Sequence, residues 1–488
     1  MRRAVTAAAA ALLLIGPTVL AFFSGGYFAQ PRLVAAIVVW SLVLALAATG
    51  PAPMPRGTGG RLALAGFGLL TAWTAVSVTW APLRGPAIES LELLVLYTGA
   101  LTVAAAVFRT PRTLSALEPA LAAGAALVIG YGLSGRLLPG IIELDRSKSA
   151  GGRLEQPITY WNSEGALAAM GVVLCARLAG DRSRPPAMRA LAAAAVAPLG
   201  AGVYLSYSRG AIAVAMLGLA ILVAAAPSRA QLRAAGVALA TGAASAATAA
   251  FPGVASLAGT LSDREREGAI ALLLLACLAG SAAALTARWA RAEHDRPGAD
   301  APLASSRRLA PLAAVAAAAV AAGLVLGGLG ERPSEAQLSA GAAPGRLTTV
   351  SSNRYEYWRV GIDAFAHEPI RGLGAGGFRV AWLRERSIPE AVRDAHSLEV
   401  EIAAELGLAG LLMLALVLGG VAVAARDALL TRQGAAAGPC AAVLTWFLHA
   451  SIDWDWQLPA VTLPAIVLAG GLIALADATP PRVNARAR

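Results

Sequence analysis

The 488-residue sequence predicts an all-α, polytopic transmembrane helix bundle with about 14 spans, in a range of 12–14, at the length a bilayer sets. It also predicts one large extracytoplasmic loop carrying short helices. Three observations carry this. Mean hydropathy is +0.64 and 57% of residues are hydrophobic, far from a soluble domain. Apolar runs of roughly 17–22 residues recur between short polar breaks, each long enough to cross roughly 30 Å of hydrocarbon. One long polar stretch interrupts them, from Gly330 to Ser397, with nine arginines, no lysine and two of the four histidines.

The spans follow in order. The start, MRRAVTAAAAALLLIG, has the charged head and apolar run of a signal peptide, but the many later spans argue for an uncleaved first helix, 4–23. Further spans are expected at 33–49, 62–80, 89–108, 113–133, 161–178, 190–205, 211–226, 232–250, 269–287 and 309–329. After the polar stretch come 400–425, 436–452 and 459–476, the last two joined by DWDWQL. The domain scheme is 1–329 for the N-terminal helices, 330–399 for the loop, 400–476 for the C-terminal helices and 477–488 for a tail.

The net charge of +11 is almost wholly arginine, with Lys148 the single lysine. In a membrane protein, basic loops orient the helices and face anionic lipid. No aromatic-basic module supports nucleic acid as a partner. Arginine is denser in the connections on the N-terminal side, so both termini are expected in the cytoplasm and the large loop outside. Cys175, Cys277 and Cys440 lie inside apolar spans without paired spacing, which fits packing and neither disulfides nor zinc.

Four outward elements hold groups capable of chemistry. SYSRG joins two spans and fixes Arg209 at the interface; an arginine at a helix end often only snorkels, but this one opposes the positive-inside bias. GGRLEQPITYWN offers Arg153, Tyr160, Trp161 and Asn162, the aromatics doubling as interface anchors. Next, Tyr355, Trp358, Ile362 and Phe365 recur at helical spacing, predicting an interfacial helix with Arg354 and Arg359 at its polar edge. GLGAGG follows, as a flexible turn or a backbone nest for phosphate; no strand precedes it, so it is no dinucleotide fingerprint. Last, His396 stands where the chain re-enters the membrane, with Asp394 and Glu399 near enough in sequence to orient it. A lone histidine is often only a polar surface residue, yet a neutral imidazole at this boundary can move protons.

Arg354-x-x-x-Trp358, HEPIRGLGAGGF, His396-Ser397-Leu398 and AELGLAGLL, with SYSRGA and GGRLEQPITYWN upstream, resemble the O-antigen ligase/polymerase superfamily over roughly residues 150–425. That family usually shows His-Asn where this chain has His396-Ser397. The resemblance implies a metal-independent glycosyltransferase without a cofactor. Its donor is a glycan on a polyprenyl diphosphate carrier, such as undecaprenyl diphosphate. Its acceptor is a glycan, lipid or protein on the outer face of the bacterial inner membrane. It implies His396 as base and arginines on the diphosphate. Arg209 and Arg354 are the first choices, Arg153 the third, with Asp394, Glu399, Asn162 and Arg359 in support. The chemistry agrees, since arginine forks replace a metal ion in stabilising a departing diphosphate. The competing readings are a polysaccharide transporter or flippase and a non-catalytic membrane assembly protein. A transporter places charge at mid-membrane, whereas here Arg, Asp and Glu gather at span ends.

Overall fold

The computed structural model describes residues 1–50, 54–294, 342 and 352–478. The described residues form fifteen α-helices. They are α1 Arg2–Ala21, α2 Ala29–Thr49, α3 Thr58–Ser77, α4 Arg84–Val107, α5 Pro111–Leu137, α6 Trp161–Gly180, α7 Pro186–Leu205, α8 Arg209–Ala225, α9 Arg229–Thr248, α10 Pro252–Ala255, α11 Leu261–His294, α12 Arg354–His367, α13 Phe378–Glu385, α14 Leu398–Ala450 and α15 Pro459–Asp477.

Among the described residues nine helices are long and apolar enough to cross a membrane: α1, α2, α4, α5, α6, α7, α11, α14 and α15. The protein is a multi-pass membrane protein. The expected count of fourteen is not reached among the described residues, for three reasons. The span expected at 309–329 lies outside the described residues. α8 is apolar but only 17 residues long. α3 and α9 are outside the set of nine, because Arg61 in α3 and Arg229, Gln231 and Arg233 in α9, with their glycines, serines and threonines, lower their hydropathy.

α14 holds two of the expected spans. At 1.5 Å per residue its 53 residues would reach about 80 Å, more than twice the hydrocarbon thickness. It is broken at Gly407 (φ 65°, ψ −162°) and at Arg432 (φ −143°, ψ 46°). Ser451 Oγ donates to Glu399 at 2.8 Å, bringing the two ends together. Ala428 and Ala436 share a small core with Leu472 and Leu475 of α15. The chain therefore reverses at Arg432, and α14 is a helical hairpin.

α6 and α15 form the centre of the bundle, every residue from Asn162 to Gly180 and from Pro459 to Leu475 being buried. Small side chains let neighbours approach. A Cβ on Gly59 of α3 would stand 2.6 Å from the Ala424 nitrogen of α14, and one on Gly66 2.7 Å from that of Val417.

The connections α1–α2, α3–α4, α5–α6, α7–α8 and α14–α15 meet at one end of the bundle, and the loop subdomain sits over them. Tyr27 receives a bond from Arg393 at 3.1 Å and touches Trp454 edge-on. The Ala375 amide donates to Ser77 at 3.2 Å. α12 and α13 have their own core of Tyr357, Val360, Ala364, Phe378, Trp382, Val392 and Ala395, closed on Ala404. The buried stripe is Tyr357, Val360, Gly361 and Ala364, while Ile362 is exposed. Small residues give the tighter seat on α14: a Cβ on Gly361 would stand 2.5 Å from Val400 Cγ1.

Candidate active site

The polar centre of this end is Asp453, fully buried in the turn between α14 and α15. One carboxylate oxygen pairs with the guanidinium of Arg354, the first residue of α12. The other accepts from the Tyr160 hydroxyl at 2.8 Å and from the Trp454 amide at 2.9 Å. Asn162, in the first turn of α6, donates to Tyr160 at 2.7 Å. Burial alone would raise the Asp453 carboxyl; Arg354, with His396 and His449, outweighs it and holds the group below the usual carboxylate range. The side chain of Arg354 keeps about a quarter of its surface exposed, so part of its fork stays open to a ligand.

His396 is half-buried beside this pair, at φ 54° in the left-handed region, between the rings of Tyr357 (5.0 Å) and Trp454 (6.1 Å). Its Nδ1 lies 3.0 Å from the main-chain oxygen of Asp394. A carbonyl oxygen only accepts, so Nδ1 carries the proton and Nε2 of the neutral ring has the lone pair. Burial lowers its pKa against the opposing pull of Asp453, so the ring is neutral at physiological pH.

The other candidates are placed as follows. Asp394 orients His396 through its backbone, while its carboxyl is lifted to about 6 by burial among Arg379, Arg393 and Glu89. Glu399 accepts from Ser397 at 3.2 Å and from Ser451, so it ties the re-entry point to the end of the α14 hairpin. Arg209 starts α8, half-buried, and its charge reaches the Tyr355 hydroxyl together with that of Arg354. Arg153 is buried, bonds Ala150 and Ser149 oxygens at 2.6 and 2.9 Å, and lies 3.6 Å over the Trp161 ring, which in turn packs on Tyr160. Arg359 is out on the exposed side of α12, held by Glu356, Asp363 and the Glu385 oxygen at 2.8–3.0 Å. The structure thus gathers Arg354, His396 and Asn162 around Asp453 and Tyr160; Arg209 stands at the start of α8, Arg153 is one aromatic layer away and Arg359 is outside.

GLGAGG is a nest already filled by the protein itself. Its Gly376 and Phe378 amides donate to the Glu405 carboxylate at 2.7 and 3.1 Å. Asp453, Asp455, Tyr357 and Trp454 had no role assigned from sequence. For Asp453, Trp454 and Asp455 the signal was an acidic DWDW turn between two apolar spans, where unpaired carboxylates are costly; Tyr357 had none beyond its place on α12. Among the described residues no group of three or more His, Cys, Asp and Glu side chains is gathered as a metal ion requires.

Residues 251–415 match the family model described as O-Antigen ligase. Over that stretch the chain is similar to O-antigen ligases. The match covers about a third of the chain and includes Arg354 and His396, while Arg153, Asn162, Arg209 and Asp453 lie outside it. No curated protein matches the chain.

Proposed function

We propose that this protein transfers a glycan from a polyprenyl diphosphate carrier to an acceptor hydroxyl at the site end of the bundle, without a metal ion. The observation that carries the reading is the pairing of a neutral His396, its Nε2 free to accept, with the Arg354–Asp453 pair beside it. Arg354, together with Arg209, holds the diphosphate of the donor. The acceptor oxygen attacks the anomeric carbon from the face opposite the diphosphate. Its proton passes to Nε2 of His396. The bond from that carbon to the phosphate oxygen breaks, and the electron pair leaves on the polyprenyl diphosphate. Arginine forks stabilise that charge as it develops. Asp453 fixes the direction of Arg354 and leaves its other nitrogens for the ligand. Acceptors in this class are glycans, lipids or proteins.

The full reading has fourteen spans, both termini in the cytoplasm and the site on the extracytoplasmic side of a bacterial inner membrane. The test is transfer by the purified protein in detergent, from undecaprenyl diphosphate-linked oligosaccharide to a lipid or protein acceptor in the presence of a chelator. Glycan-acceptor product in the parent and none in His396→Ala supports it. Transport of intact carrier-linked glycan without any new glycosidic bond overturns it.

A further inference from the structure

Outside the Arg354–Asp453–His396 set lies a second buried polar chain. Asp455, two residues after Asp453, is fully buried. Its carboxylate holds Nδ1 of His449, at the end of α14, and accepts from Ser163 Oγ at 2.6 Å. Its own carbonyl accepts from Thr462 at 2.7 Å. Nε2 of His449 lies 3.5 Å from Ser208 Oγ. Ser208 is the N-cap of α8: its hydroxyl accepts from the Ala211 amide at 3.2 Å. The next residue is Arg209. The one after it, Gly210, lies flat on the imidazole, where a Cβ would stand 3.3 Å from Nε2 and 2.9 Å from Ile452 Cδ1. None of the three side chains can meet a substrate, since His449, Asp455 and Ser208 are 1%, 0% and 4% exposed.

We propose that His449, locked by Asp455, is a positioning residue for Arg209, setting the start of α8 against the DWDW turn. The inference rests on Arg209 being a diphosphate ligand. The physical argument is one of geometry. A guanidinium grips a diphosphate only if its fork is held in direction. The first residue of a helix is placed by its cap, and this cap is held from below by a histidine that cannot turn. Asp453 and Asp455 flank Trp454 in a single turn. One aims Arg354 directly, and the other reaches Arg209 through His449 and Ser208. The DWDW turn thereby fixes the spacing of the two arginines.

The test uses the full-length protein in detergent, with undecaprenyl diphosphate as the probe and undecaprenyl monophosphate as the control. Arg209→Ala, His449→Gln and the double variant form a cycle. Ser208→Gly is the milder companion, since glycine keeps most of the capping and removes only the hydroxyl. The expected result is about tenfold weaker diphosphate binding in His449→Gln, the size of one lost charge-assisted bond. Little further loss is expected once Arg209 is gone. Monophosphate binding and the acceptor KM should hold near parent values. Ser208→Gly should lose in the same direction, so the positioning role stays testable if His449→Gln does not fold. If Arg209→Ala weakens binding while His449→Gln and Ser208→Gly bind like the parent, or if their losses simply add to that of Arg209→Ala, the positioning role is overturned. If Arg209→Ala itself binds like the parent, the diphosphate reading of Arg209 fails, and this inference with it.

Discussion

His396 has the geometry of a base whose tautomer is fixed by its backbone. The main-chain oxygen of Asp394 takes the Nδ1 proton, so the ring presents Nε2 without help from a carboxylate. Replacing His396 by alanine should lower transfer by about 10² to 10⁴-fold, the usual span for a general base, with carrier binding and detergent Tm close to the parent. A parent-like turnover number would remove His396 from the chemistry. The pH profile follows from the sign of the shift. Burial depresses the imidazole below its ordinary 6.5, and a base must be unprotonated. Activity should therefore be flat through neutral pH and fall only as pH drops through a value under 6.5. Burial lifts the Asp394 carboxyl to about 6, but it is the main-chain oxygen of Asp394 that bonds the ring, so the acid limb should persist in Asp394→Asn. Arg354→Lys should weaken carrier binding, because an ammonium replaces neither the fork nor the tie to Asp453. Asp453→Asn should do the same, since removing one partner of a buried pair costs about 3–5 kcal/mol; parent-like binding in both would detach this pair from the donor site. In the sequence His396 was legible as a polar residue where the chain re-enters the membrane, Arg209 as one at the start of a span, and Arg354 as one at the polar edge of an interfacial helix. Asp453 was not, because its partners Arg354 and Tyr160 lie 99 and 293 positions away and only the fold joins them.

At the scale of elements, apolar run length placed most helices within a few residues, since burial in lipid depends on composition more than on fine pattern. It failed where composition and packing part company. On α12 only the stripe Tyr355, Trp358, Ile362 and Phe365 was read from the sequence, as the side lying on the membrane surface, and the face that seats the helix on the bundle was not. The structure buries Tyr357, Val360, Gly361 and Ala364, because small residues permit the closer seat. The glycine-rich loop was legible as a turn, but its occupant Glu405, some thirty residues on, was not. That loop and the break at Gly407 form one joint. Leu373 and Gly374 amides donate to the Ala404 and Glu405 oxygens at 3.0 and 2.8 Å, and the Leu408 amide returns a bond to Pro369 at 2.8 Å. Gly407 has a backbone conformation that side chains rarely adopt, and a Cβ would press on the main chain of Ile370 and Arg371. Gly407→Ala should lower stability by about 1–3 kcal/mol for the strained backbone alone, read as a lower Tm in detergent. Transfer should fall with it, since His396 leads into the helical segment that ends at this joint. Gly68→Ala, where nothing lies within 4 Å of the added methyl, is the control. Equal Tm values for the two variants would show that the joint tolerates a side chain.

At the scale of the whole molecule, the two ends of the bundle differ in kind. The site end carries buried pairs, aromatic rings and the loop subdomain. The opposite end is laced by arginines in short connections: Arg109 bonds the Met54 oxygen at 2.8 Å, Arg177 ties Asp181 to Gly434 at the hairpin turn, and Arg182 and Arg189 reach Glu293. Short basic connections of this sort stay in the cytoplasm. The carrier-linked donor proposed here is used on the other side, so the proposed reaction needs the site end outside and this arginine-laced end inside. Two exposed alanines test it. Ala391 belongs to the loop subdomain and Ala435 to the hairpin turn at the opposite end. In a background lacking Cys175, Cys277 and Cys440, Ala391→Cys should react with a membrane-impermeant thiol reagent in spheroplasts. Ala435→Cys should react only after lysis. The reversed pattern would put His396 and Arg354 in the cytoplasm, where a diphosphate-linked glycan awaiting transfer to an outer-face acceptor is out of reach, and the proposed reaction would fall with the orientation.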